Sequence, residues 1–118
     1  MKAIQITKFG GPEVMQLTEL PDPIAGAGEE VLDVTAIGIN YADTHQTEDS
    51  YLAKQTLPLI PGIEVVGTTT KGVRVLAPVE GGGYAQKAVT HSSVMIPIPD
   101  GVSDEQALCM LVQGSTAW

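Results

Sequence analysis

Ile63-Glu64-Val65-Val66-Gly67-Thr68-Thr69-Thr70, then Lys71-Gly72, then Val73-Arg74-Val75-Leu76-Ala77-Pro78 is the stretch that decides the fold. Two runs rich in β-branched residues flank a Lys-Gly dipeptide, which predicts two antiparallel strands joined by a tight turn. Outward from this hairpin the same texture recurs. Towards the N-terminus, Leu57-Pro58-Leu59-Ile60-Pro61-Gly62 reads as extended, because a residue before proline avoids the α region. Val31 to Ile39 is a further strand, opened by Glu29-Glu30 after the loop Ala25-Gly26-Ala27-Gly28. Met1 to Lys8 alternates, with Ile4 and Ile6 expected on one face, and Val14 to Leu20 alternates as its hairpin partner across Gly10-Gly11-Pro12. Pro21 and Pro23 end that pairing. Towards the C-terminus, Gly81-Gly82-Gly83 is a turn, Tyr84 to Thr90 a strand, and Ser92 to Pro99 a short edge segment.

Helix is predicted in two places. Asn40 to Gln46 follows the longest strand, with Asn40 as N-cap and Asp43 three residues on, where the positive helix end favours a carboxylate. Thr47 to Gln55 is polar and reads as loop. Ser103 then caps a helix over 104–112, with Asp104 and Glu105 in its first turn and Gln106 placed for a capping box. Gly114 is expected to stop it. The resulting expectation is a mainly β chain with short helices.

Composition narrows the function. The 118 residues carry six Lys and Arg against 14 Asp and Glu, a formal charge of −8. That balance argues against a nucleic-acid footprint, which needs a basic patch, and against an anionic membrane surface. No apolar run reaches the roughly 18 residues a membrane helix needs, and Met1 to Lys8 lacks a signal-peptide core, so a cytoplasmic protein is expected. A single Cys permits neither an internal disulfide nor a multi-cysteine zinc site. The chain stops on the apolar pair Ala117-Trp118 rather than on a polar tail, which reads as a piece of a larger protein.

No catalytic signature is carried by spacing alone. Gly26-Ala27-Gly28 precedes a strand and lacks a third glycine, so it is a loop and not a dinucleotide fingerprint. Cys109 lies on the stripe Ala107/Leu108/Leu111 and is expected as a buried structural thiol. His45 and His91 are the only histidines, and a lone His is more often packed or solvated than a ligand. Glu64 opens an apolar strand, where it is either paired in a cleft or at a solvated strand end. Asn40 is either a helix cap or a site residue.

The motifs in order resemble one family. Lys2-Ala3-Ile4 with Phe9-Gly10-Gly11-Pro12-Glu13-Val14, Gly26 to Leu32, Ala36-Ile37-Gly38-Ile39-Asn40-Tyr41-Ala42-Asp43, Leu57 to Gly67, Gly82-Gly83-Tyr84-Ala85-Gln86, Ile98 to Val102 and Leu111 to Ala117 resemble the opening of zeta-crystallin-like quinone reductases. These belong to the medium-chain dehydrogenase/reductase superfamily. The resemblance implies a GroES-like, partly open β-barrel over residues 1–102, and a helix and hinge over 103–118 leading to a Rossmann domain beyond the chain. It implies hydride transfer from NADPH to a quinone or enone, with a homodimeric parent. By position Asn40 and Tyr41, with Gly114 and Thr116 at the hinge, would bind cofactor. Asn40, Asp43, His45 and Glu64 would form the catalytic set, His45 as proton donor. Zinc-dependent members carry a Cys where this chain has Asn40 and a His where it has Ile63, so no metal site is expected. Two further departures are the short turn between Gly67 and Arg74 and His45, where several members have Tyr. The fragment alone is expected to be inactive. The competing reading is a stand-alone GroES-like binding or assembly module.

Overall fold

The computed structural model describes residues 1–51 and 53–118; position 52, inside the 47–55 stretch read as loop, lies outside the described residues. Among the described residues, seven strands form two sheets. The first pairs β1 (Lys2–Gln5) with β2 (Gln16–Glu19) in antiparallel register, Ala3 opposite Thr18. The second runs in the order β6 (Lys87–His91), β3 (Glu29–Ile37), β4 (Glu64–Thr68), β5 (Arg74–Pro78), β7 (Ile96–Pro97). Every pairing is antiparallel. Isolated bridges from Ala3 to Ala85 and from Ile6 to Leu59 join the first segment to the stretches that lead into β6 and β4, within a partly open barrel.

The deciding hairpin forms as read: Glu64 to Thr68 pairs with Arg74 to Pro78, Val66 opposite Leu76. Both faces of this pair are covered, which explains the near-continuous apolar run. Val65, Val75 and Ala77 pack with Leu32, Val79 and Ala88 inside the barrel. Val66 and Leu76 pack outward against Ala107 of α2 (Asp104–Leu108). A β-bulge between Val34 and Ala36 leaves Thr35 as the extra residue. Its hydroxyl donates to Asp104 Oδ2 at 2.9 Å, and Arg74 Nε donates to Asp104 Oδ1 at 2.9 Å. The bulge and the ion pair together dock the N-terminus of α2 on the sheet. The capping box at Ser103 is complete: its Oγ accepts from Gln106 N, and Gln106 Oε1 accepts from Ser103 N.

Four local readings are corrected. Ala3 and Ile6, not Ile4 and Ile6, are the buried residues of the first segment, because β1 ends at Gln5 and Ile6 pairs separately with Leu59. α1 spans Ala42–Glu48, so it includes Thr47 and Glu48, and the Asn40 side chain does not cap it. Gly114 does not terminate a helix. It sits in helical backbone at the end of a wide π turn, Met110–Gly114, which runs on into α3 (Ser115–Ala117). Cys109 is exposed rather than buried. Successive helical residues are about 100° apart, so Cys109 falls on the side opposite the Ala107/Leu108/Leu111 stripe.

Candidate active site

The candidate residues converge on the end of β3 and the start of β4. Gly38 and Asn40 lie just past β3, and Gly38 N donates to Glu64 O at 3.1 Å. Glu64 is 1% exposed, the paired alternative of its two readings. Its carboxylate is fully engaged: Oε1 accepts from Asn40 Nδ2 at 2.9 Å and Oε2 from Val112 N at 3.1 Å. Burying a carboxylate is costly unless it is hydrogen-bonded, and these two donors supply the compensation. The second bond also accounts for the π turn. A helical Val112 N–H would serve a carbonyl of the preceding turn; here it serves a side chain inserted into the ladder.

Asp43, 5% exposed on α1, is turned inward. Its Oδ2 accepts from Asn40 N at 2.9 Å and from the Tyr84 hydroxyl at 2.6 Å, while Oδ1 is buried without a partner. Asp43 N in turn donates to Asn40 O at 2.9 Å, so Asn40 is held by backbone on one side and by side chain on the other. Burial first, then the hydrogen bond and charge of Asp43, hold the Tyr84 hydroxyl well above the usual phenol range. Asn40, Asp43 and Tyr84 border a cavity of about 170 Å³ that also touches Met15 and Thr47. A second opening, about 300 Å³, is bordered by Glu64, Ile39, Leu108 and Cys109. Ile39 and Tyr41 are strongly exposed beside the pair, at 76% and 82%.

The remaining candidates lie around this centre. His45 Nδ1 is 2.6 Å from Ser50 Oγ, and its ring stands edge-on to Tyr41 at 5.5 Å and tilted to Tyr51 at 5.2 Å. It belongs to an aromatic rim, not to the Glu64 carboxylate. Gly114 and Thr116 follow Val112. An added Cβ at Gly114 would come within 3.0 Å of Cys109 O, and Thr116 Oγ1 donates to Val112 O at 2.6 Å. Both therefore have a local role in the terminal helical segment. His91 is exposed, 4.0 Å from Glu80. The sequence reading missed Tyr84 as the partner of Asp43, and Gln46, whose buried Oε1 accepts from Gly62 N at 2.9 Å. Tyr84 had a signal, since an aromatic residue follows three glycines; Gln46 had none. Neither Asn40 nor Ile63 offers a thiolate or imidazole, and no group of three or more His, Cys, Asp or Glu suited to a metal occurs among the described residues. The donor set here does not fit a catalytic zinc.

The family description "Alcohol dehydrogenase GroES-like domain" matches residues 26–100. The chain belongs to the alcohol dehydrogenase GroES-like domain family. Within it the chain is of the quinone oxidoreductase-like kind of the medium-chain dehydrogenase/reductase superfamily. It is 31% identical to the quinone oxidoreductase of Lama guanicoe over 130 residues, 100% of this chain and 39% of that protein. The crystal structure of the quinone oxidoreductase from Thermus thermophilus, also solved with NADPH, superposes with a TM-score of 0.87 at 40% identity, covering 95% of this chain and 37% of that one. The Escherichia coli quinone oxidoreductase complexed with NADPH gives 0.90 at 28% identity, over 98% and 39%. The chain thus spans about two fifths of the length of the relatives it matches. No helix among the described residues is long and apolar enough to cross a membrane.

Proposed function

We propose that this GroES-like domain is the catalytic part of an NADPH-dependent quinone or enone oxidoreductase. Residues 1–102 would be the catalytic domain and 103–118 the helix and hinge that lead to a dinucleotide-binding domain. The observation that carries the reading is the buried Asn40–Glu64 pair, bonded to the 110–114 turn, at the openings beside Ile39. It gives the domain a rigid polar centre in a mostly apolar surface, the composition of a small-molecule site.

When bound, NADPH supplies the hydride to an electron-poor acceptor. The chain's residues bind and orient. Asn40 Oδ1 accepts no hydrogen bond from the described residues and would take an N–H or O–H of the nicotinamide end. Ile39 and Tyr41 offer exposed apolar surface against which a flat ring can lie. Asp43 holds the Asn40 backbone and acts through it. His45, with Nδ1 on Ser50, has Nε2 left to return a proton to the reduced acceptor. Gly114 and Thr116 would meet the cofactor from the hinge. An electron-poor acceptor needs no Lewis acid, which agrees with the donor set at Asn40 and Ile63. Phosphate and adenosine anchors of a dinucleotide come from a Rossmann-type domain, so the 118-residue chain alone is expected to be silent. The test is NADPH oxidation with a benzoquinone acceptor, measured for this chain and for the protein extended to the length of its relatives. Turnover by the extended protein only is expected. Turnover by the short chain would refute its silence, and none by either would refute the reading.

A further inference from the structure

We infer that Glu64 is a positioning residue that decides which end of the Asn40 amide faces a ligand, so that the site selects a group with an N–H donor. The ligand part rests on the reading above; the amide part does not. A carboxylate only accepts hydrogen bonds, and an Asn amide has one accepting and one donating end. With Oε1 on Asn40 and Oε2 on the Val112 N–H, Glu64 forces the donating Nδ2 inward. Asn40 Oδ1 is then the end left for a ligand.

Glu64 has no freedom to do otherwise. It is 1% exposed, and the α-carbon of Gly38 is packed against it so closely that even a Cβ there would fall 2.6 Å from Glu64 Cδ. Asn40 is fixed as well, by Asp43 Oδ2 on its N–H and the Asp43 N–H on its carbonyl. One carboxylate thus couples the amide at the cleft to the turn at 110–114. A primary carboxamide matches an outward Oδ1. An ester of the same shape presents only acceptors and leaves Oδ1 unpaired.

Glu64→Gln separates this role from a merely structural one. The substituted amide keeps one accepting oxygen, and the Val112 backbone N–H cannot rotate, so that oxygen is held at Val112. The new amide nitrogen then faces Asn40, whose side chain turns over by rotation about its last bond. Shape and turn survive, while the outward end changes from acceptor to donor.

The test uses the labelled 118-residue chain by NMR, with nicotinamide and methyl nicotinate as neutral probes with and without an N–H donor. In the unmodified chain, a coupling across the hydrogen bond from Asn40 Nδ2 to Glu64 Cδ is expected. Nicotinamide is expected to bind about tenfold or more tightly than methyl nicotinate, the scale of one unpaired polar group. In Glu64→Gln the Val112 amide stays protected, the coupling at Asn40 Nδ2 disappears and the preference falls about tenfold or reverses. Glu64→Ala releases both partners and speeds Val112 exchange. Absence of the coupling in the unmodified chain, or an unchanged preference in Glu64→Gln, would overturn the inference. If the coupling is present and lost as stated, but neither probe moves the Asn40 resonances, the amide orientation stands and the nicotinamide reading fails.

Discussion

Gly38→Ala is a one-carbon change with a large expected effect. The backbone at Gly38 has no positive φ, so alanine is conformationally acceptable there. By itself, a Gly to Ala change at such a position stabilises by about 0.4–1 kcal/mol through the unfolded chain. The new Cβ would instead meet Glu64 Oε1, Cγ and Cδ, the last at 2.6 Å. A long exposed side chain would move aside, but Glu64 is buried and bonded at both oxygens. Displacing it breaks the bonds to Asn40 and Val112 and leaves a buried carboxylate uncompensated, about 3–5 kcal/mol. The net expectation is a loss of about 2–4 kcal/mol. At a urea m-value of about 2 kcal/mol/M, the midpoint falls by about 1–2 M. Gly72→Ala is the control. Its φ is +81° and nothing lies within 4 Å, so it costs only the left-handed conformation, about 1–2 kcal/mol. Urea unfolding followed by circular dichroism decides between them. If Gly38→Ala stays within about 0.5 kcal/mol of the unmodified chain, the role of Glu64 as an immobile bridge is refuted.

Tyr84→Phe removes the 2.6 Å donor to Asp43, whose other oxygen is already without a partner, and should cost about 1–2 kcal/mol in the same assay. The pH profile carries the sign. Because the Tyr84 hydroxyl titrates higher folded than unfolded, its contribution is whole below about pH 10 and is lost as pH rises towards the folded value. The urea midpoint should therefore fall on alkaline titration, and less steeply in Tyr84→Phe. Ser103→Ala removes an N-cap oxygen that accepts from Gln106 N, and a loss of about 1 kcal/mol is expected on thermal unfolding.

Much of the architecture is legible in local sequence because strands, turns and caps are local chemistry. The Lys71-Gly72 turn between two β-branched runs, and Ser103 with Gln106, both form as their residues dictate. The misreadings at Gly114 and Asn40 share a cause, a long-range contact that overrides a local rule. Gly114 looks like a helix stop, yet Glu64, 48 residues before Val112, captures a backbone donor and widens the turn so that the helix continues. Asn40 has the chemistry of an N-cap, but Glu64, 24 residues away, claims its amide. At the candidate site, residue types and order pointed to Asn40, Asp43 and Glu64. The donor and acceptor assignments among them, and the part of Tyr84, appear only once β3, β4 and α1 are folded together.

Asn40 is the group on which the proposed chemistry most depends, since it would meet the cofactor's reactive end. The most direct test is kcat/KM for quinone-dependent NADPH oxidation by the extended protein, unmodified and as Asn40→Ala, with folding checked by circular dichroism. A fall of about tenfold or more in the folded variant is predicted, the cost of one lost polar contact to the bound state. An unchanged kcat/KM would contradict the central claim.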